Sequence, residues 1–218
     1  MSRLQERFFS SVQSFTDAPP ARLAPIFEVL DAAYNEPHRA YHTWEHIAEM
    51  LALFDECENA VEAGHELAVA IYYHDAVYDP AAGDNEEQSA ALCRAHLEAV
   101  DVELGRRERI AQLVLATKHL GRIDAERPDN DQLEAVLLDI DLGILGSPRE
   151  RYERYTRQVR EEYRHLTDRA FLEGRRRVVA HFLAMKRLYR TPYFAARFAA
   201  RARENLAREL EALDSPWV

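Results

Sequence analysis

Glycine is scarce in this chain, with 7 in 218 residues, roughly half of ordinary usage. Strand-rich folds turn often and need that punctuation, so a mainly β architecture is excluded. Cysteine is scarcer. Cys57 and Cys93 are the only two, which argues against a disulfide scaffold and fits a reducing cytoplasm. No stretch approaches ~18 consecutive apolar residues, which excludes a transmembrane helix of the usual kind. The first residues, MSRLQERFFSSVQSF, carry charges and lack an apolar core of secretory type, so no signal peptide is expected. Basic charge is outweighed, 28 Lys+Arg against 38 Asp+Glu for a net charge of -10, which argues against coating a nucleic acid. Only Lys118 and Lys186 are lysines, and no function follows from that.

What remains is a globular composition, 47% hydrophobic and 30% charged, long enough to bury a core without staples. The charge is uneven. Residues 148–218 hold 17 Lys+Arg and 10 Asp+Glu, a balance of +7, and residues 1–147 carry -17. Solvated helix faces of opposite bias account for this; so does an acidic half that gathers metal ligands beside a basic half that meets an anion.

Apolar residues recur at helical spacing. Leu4, Phe8, Val12 and Phe15 form one stripe, Ile26, Val29, Leu30 and Ala33 a second, and Ile47, Met50, Leu51 and Phe54 a third. The stretch through Leu67, Val69, Ala70, Ile71 and Val77 is apolar enough to predict a buried central helix. Further helices are predicted over 85–103, 107–119, 131–143, 149–165, 168–190 and 193–213. Breaks fall at Pro19-Pro20, at 79–84, at 121–131, at Gly146-Ser147-Pro148 (a helix stop and a new start) and at Thr191-Pro192. With no repeat and no dividing linker, the expected fold is all-α, a single helical domain over 1–218.

Three clusters are candidates for chemistry. In the segment from Arg39 to His46, His42 and His46 would share a face if the segment is helical. That suits two metal ligands, one ligand beside a catalytic acid, or two hydrogen-bonded histidines. In Tyr72 to Asp79, His74-Asp75 follows a very apolar run. Chance alone supplies roughly 0.6 such dipeptides in this composition, so its position is the informative part. An imidazole and a carboxylate buried there must be paired or hold a cation. In Leu137 to Gly146, Asp139 and Asp141 interrupt an apolar run. Either one caps a helix or pairs with Arg, or one is a ligand.

The order His…His-Asp…Asp resembles the HD superfamily of metal-dependent phosphohydrolases. More narrowly, residues 36–47, 74–80, 84–90 and 139–146 are similar to a bacterial subgroup of predicted HD phosphohydrolases, a likeness that also takes in 188–194 and 202–206. The resemblance implies an HD-like fold, with a metal-site core at about 37–146 and C-terminal helices 148–213 packed on it. It implies that His46, His74, Asp75 and Asp141 bind a divalent metal, with Asp139 a neighbour. Related cyclic-nucleotide phosphodiesterases use the first His of Tyr-His-Asn-x-x-His to protonate the leaving group, which gives that role to His42. His119 is a candidate further ligand; His96 is expected to face solvent or pair with Arg or Glu.

Such ligands suit Mn, Fe, Co, Ni or Zn, with Mg as a further candidate. A water acidified by the metal would attack phosphorus. Glu86 would orient it, with Asp79 in a similar role, and Arg39 would meet the phosphate, ahead of Arg175-Arg176-Arg177. The substrate expected is a small phosphorylated metabolite or nucleotide, with no nucleic-acid polymer and no membrane as partner. Two alternatives keep the fold: a di-iron oxygenase, and a non-catalytic module stabilised by its metal.

Overall fold

The computed structural model describes residues 2–57, 64–118 and 131–214. The chain is all-α, with ten helices and no strand among the described residues. It divides into two units, Met1–Leu137 and Leu138–Val218. The single domain expected over 1–218 had its metal-site core ending near residue 146; the division falls earlier, inside a helix.

The first unit holds α1 (Arg3–Gln13), α2 (Pro20–Tyr34), α3 (Trp44–Cys57), α4 (Gly64–Tyr73), α5 (Asn85–Ala99) and α6 (Leu104–Ala116), and α7 (Gln132–Asp141) runs through the division. Its centre is α4, which packs against α1, α3, α5 and α6. Every residue from Leu67 to Tyr73 is buried, as expected of a helix apolar all round. Phe8 of α1 meets Tyr72 edge-on at 5.2 Å, and Phe27 of α2 stacks on Trp44 at 5.3 Å. In α2 the buried face is Leu23, Ile26, Phe27, Leu30 and Tyr34, so Val29 of the expected stripe is exposed. The predicted loop over 121–131 lies almost wholly outside the described residues, as does His119.

In the second unit, a 3-10 turn (Leu142–Gly146) follows α7, and then come α8 (Arg149–Glu162), α9 (Asp168–Ala184) and α10 (Pro192–Asp214). Both α8 and α10 pack on the 3-10 turn, and α9 packs on α10. The carbonyls around this turn are met by side chains: Leu142 by the Tyr189 hydroxyl at 2.9 Å, Leu145 and Ser147 by Asn205 Nδ2 at 2.9 and 3.0 Å, and Gly146 by Arg201 at 3.2 Å. Buried carbonyls left bare would each be costly.

The helix predicted over 168–190 stops at Ala184. Leu188 and Tyr189 are buried, so apolar spacing continues past the helix end. The backbone amides of Arg190 and Thr191 and the Thr191 hydroxyl all donate to Asp139, each at 2.7 Å. Arg190 and Thr191 therefore carry the segment that caps onto α7 instead of extending α9.

Gly146 ends the 3-10 turn, as expected of a helix stop, and has no positive φ. Its requirement is closeness to α10: a Cβ there would lie 2.6 Å from Phe198 Cβ and 2.9 Å from the Phe198 carbonyl oxygen. Gly146→Ala must push α10 away, and overpacking of this kind costs about 1–3 kcal/mol. Urea unfolding of the variant is expected to show that loss, with wild-type stability as the refuting result.

Candidate metal centre

The centre is built at two helix ends in the first unit. Thr43 starts α3: its carbonyl accepts from the Ile47 amide at 3.3 Å and its hydroxyl from the Glu45 amide at 3.3 Å. His46 follows in the first turn and is buried. The helix predicted to carry both His42 and His46 begins only at Trp44, so His42 lies in the turn before it. The two rings are still neighbours, with centroids 6.0 Å apart. At the other end, His74 directly follows α4, its amide still bonded to the Ala70 carbonyl at 2.9 Å. Asp75 comes next, in the turn.

His46, His74 and Asp75 converge. His46 Nε2 and His74 Nε2 are 3.2 Å apart, and Asp75 Oδ2 lies 2.8 Å from His74 Nε2 and 3.7 Å from His46 Nε2. His74 Nδ1 is 2.9 Å from the Ile71 carbonyl. A carbonyl can only accept, so Nδ1 carries the proton, and the Nε2 of a neutral ring presents its lone pair. That lone pair faces a carboxylate oxygen. Two acceptors that close need a proton or a cation between them. A proton serves two of the three atoms; a metal ion serves all three. Metal–ligand bonds of about 2.1 Å put neighbouring ligands about 3.0 Å apart at right angles and about 3.4 Å apart in a tetrahedron. The three separations bracket those values. A carbonyl fixing the tautomer of a ligating imidazole is the usual outer support of such sites. Burial alone would raise the Asp75 carboxyl, but His74, His42 and His46 outweigh it and hold it well below the usual carboxylate range.

The turn after Asp75 is held at every residue. Arg39 donates to the Asp75 carbonyl at 2.7 Å and the Ala76 carbonyl at 3.1 Å. The buried Ser89 hydroxyl accepts from the Val77 amide at 3.0 Å and returns a bond to its carbonyl at 3.3 Å. His38 donates to the Tyr78 carbonyl at 2.8 Å, and Asn85 bonds both the amide and the carbonyl of Asp79 at 3.0 and 2.8 Å. Sequence reasoning gave no role to Ser89, Asn85 or His38. Ser89 and Asn85 lie inside the 84–90 segment of the resemblance, the one signal that marked them.

His42 is half-buried, its ring stacked on Tyr78 at 4.1 Å. Glu86 lies in the first turn of α5, with Lys118 Nζ 3.9 Å away. Asp79 is spent locally, its Oδ1 accepting from the Ala81 amide at 2.8 Å. His96, expected to face solvent or pair with Arg or Glu, is half-buried: Tyr73 Oη lies 3.0 Å from its Nδ1, and burial lowers its pKa. Asp141 is the last residue of α7 and belongs to the second unit; the three converging residues all belong to the first. Asp139 is the buried member of that pair. Burial raises its carboxyl pKa, against three hydrogen bonds that lower it.

Arg39 is a correction. Its side chain is fully buried, and it donates to Glu36 at 2.9 Å and to the His42 carbonyl at 3.2 Å besides Asp75 and Ala76. An arginine enclosed in this way cannot meet a substrate phosphate. Arg175 is likewise committed, to Glu209.

Among the described residues no helix is long and apolar enough to cross a membrane. No protein-family model matches the chain, and neither a curated protein nor a solved structure does.

Proposed function

We propose that the chain is a metal-dependent phosphohydrolase of the HD type, acting on a small phosphorylated metabolite or nucleotide. The observation that carries this reading is the convergence of His46, His74 and Asp75 on one point, with the His74 tautomer set by the Ile71 carbonyl. These three would hold a divalent ion of Mn, Fe, Co, Ni or Zn, or Mg. When bound, the ion supplies Lewis acidity, which lowers the pKa of water and offsets phosphoryl charge.

His42 is the proton donor to the leaving oxygen. It sits in the turn before α3, half-buried, with its ring 6.0 Å from that of His46 and stacked on Tyr78. The two cysteines, both buried free thiols, fit a reducing cytoplasm.

Phosphomonoesters, cyclic nucleotides and nucleoside phosphates assayed with Mn²⁺, Co²⁺, Ni²⁺ and Mg²⁺ test the proposal. Turnover by the wild type that Asp75→Ala lacks is expected for at least one ester. A wild type no faster than Asp75→Ala across the whole panel would sink the reading.

A further inference from the structure

Arg39 lies among three separate stretches of chain. Nε donates to Glu36 at 2.9 Å, Nη1 to the carbonyls of His42 at 3.2 Å and Asp75 at 2.7 Å, and Nη2 to the carbonyl of Ala76 at 3.1 Å. The rings of Tyr34 and Tyr78 lie 5.2 and 5.5 Å from the guanidinium carbon. Tyr78 also carries the stacked His42 ring. One planar cation thus ties the turn before α3 to the turn after α4.

We infer that Arg39 is the positioning residue of the metal centre: through Nη1 it fixes the backbone of His42 against the backbone of Asp75. The inference rests on reading His46, His74 and Asp75 as a cation site. Its physical basis is the shape of guanidinium. Five donors in a rigid plane reach acceptors in several directions at once, and the flat faces fit between aromatic rings. Turn carbonyls have no helical partner of their own, so those of Asp75 and Ala76 depend on Arg39. A lysine keeps the charge, but it has one nitrogen on a flexible stem and no plane. It cannot hold all three carbonyls, and the Asp75 backbone is then free to rotate its carboxylate off the point shared with His46 and His74.

The test uses Mn²⁺ added to metal-free full-length protein: the wild type, Arg39→Lys and Asp75→Ala. Affinity is read by titration, and the bound ion at saturation by its electron paramagnetic resonance spectrum. Stoichiometric binding is expected for the wild type and none for Asp75→Ala. Arg39→Lys is expected to bind about 10–100-fold more weakly, the usual cost of losing an outer support of a metal site. Its saturated spectrum is also expected to differ in zero-field splitting, because the ligands have moved. Wild-type affinity in Arg39→Lys would overturn the inference. So would weaker binding with an unchanged saturated spectrum, since that is the mark of a residue that only stabilises the fold. Equal binding by the wild type and Asp75→Ala, or none by the wild type, overturns the cation site itself and the positioning role with it.

Should Arg39→Lys fail to fold, Tyr78→Leu takes its place. It removes one face of the guanidinium's enclosure and none of its acceptors, and is expected to weaken Mn²⁺ binding about 2–5-fold with the same spectral change. Wild-type behaviour there overturns the inference equally.

Discussion

Replacing His74 with Ala is expected to lower phosphate-ester hydrolysis by about 10³-fold or more, the effect of losing a Lewis acid worth several kcal/mol. Tight Mn²⁺ binding should vanish with it, while far-ultraviolet circular dichroism stays helical. His74 Nε2 stands closer to each of the other two donor atoms than they stand to each other. The variant also frees the Ile71 carbonyl, an ordinary hydrogen bond of about 1 kcal/mol, and empties buried space.

His42→Ala makes the informative contrast. It should keep stoichiometric Mn²⁺ and still lose about 10²–10⁴-fold on alkyl phosphates, the range of general acid catalysis. A leaving group that needs no proton, such as p-nitrophenolate, should recover most of the rate. Equal losses on both leaving groups would remove His42 from the proton-transfer role. Undiminished turnover in His74→Ala would remove the metal centre from the chemistry altogether.

Arg175→Ala is expected to cost about 3–5 kcal/mol of stability, the penalty for breaking a buried ion pair. Arg175 and Glu209 have side chains only 8% and 10% exposed, so water does not take over when either is lost. Arg175 donates to both Glu209 oxygens, at 2.7 and 3.0 Å, and to the Tyr155 hydroxyl at 3.2 Å. Its guanidinium also lies over the Tyr155 ring at 5.1 Å, and the Tyr152 hydroxyl donates to the same carboxylate. Without the arginine, Glu209 keeps that hydroxyl and loses its counter-charge.

The double variant Arg175→Met/Glu209→Leu removes both charges and should regain most of the loss. Urea midpoints of the wild type, Arg175→Ala and the double variant decide it. A single variant within 1 kcal/mol of wild type would mean that the pair behaves as a surface contact. The basic run at 175–177 therefore divides by depth. Arg175 is a core residue, and Arg176 pairs with Asp214 at the surface.

Much of this was legible in the sequence because it depends on side-chain character at fixed spacing. Leu67 to Tyr73 is apolar on all sides, so its burial and the burial of His74 after it could be read directly. What could not be read depends on backbone groups. Nothing in the chain marks the Asp75 and Ala76 carbonyls as acceptors for Arg39, so an arginine beside a histidine motif read as a phosphate contact. The end of α9 was hidden because Leu188 and Tyr189 keep a helical apolar rhythm while packing from an irregular, bent segment. Gly146 could be read as a helix stop but its closeness to α10 could not, because a close approach between two segments leaves no sign in either one. Asp139 and Asp141 look alike in sequence, and the difference lies in three donors that arrive from residues 190 and 191.

Each residue of the turn from Asp75 to Asp79 is tied to Arg39, Ser89, His38 or Asn85, so the turn has little conformational freedom left to surrender. A loose turn would have to be ordered by whatever it captured, and affinity would fall by that entropy. Here the ordering is done at folding. An ion captured there would give up its own water and little else, so the strength of capture would be set by the donor atoms rather than by the chain.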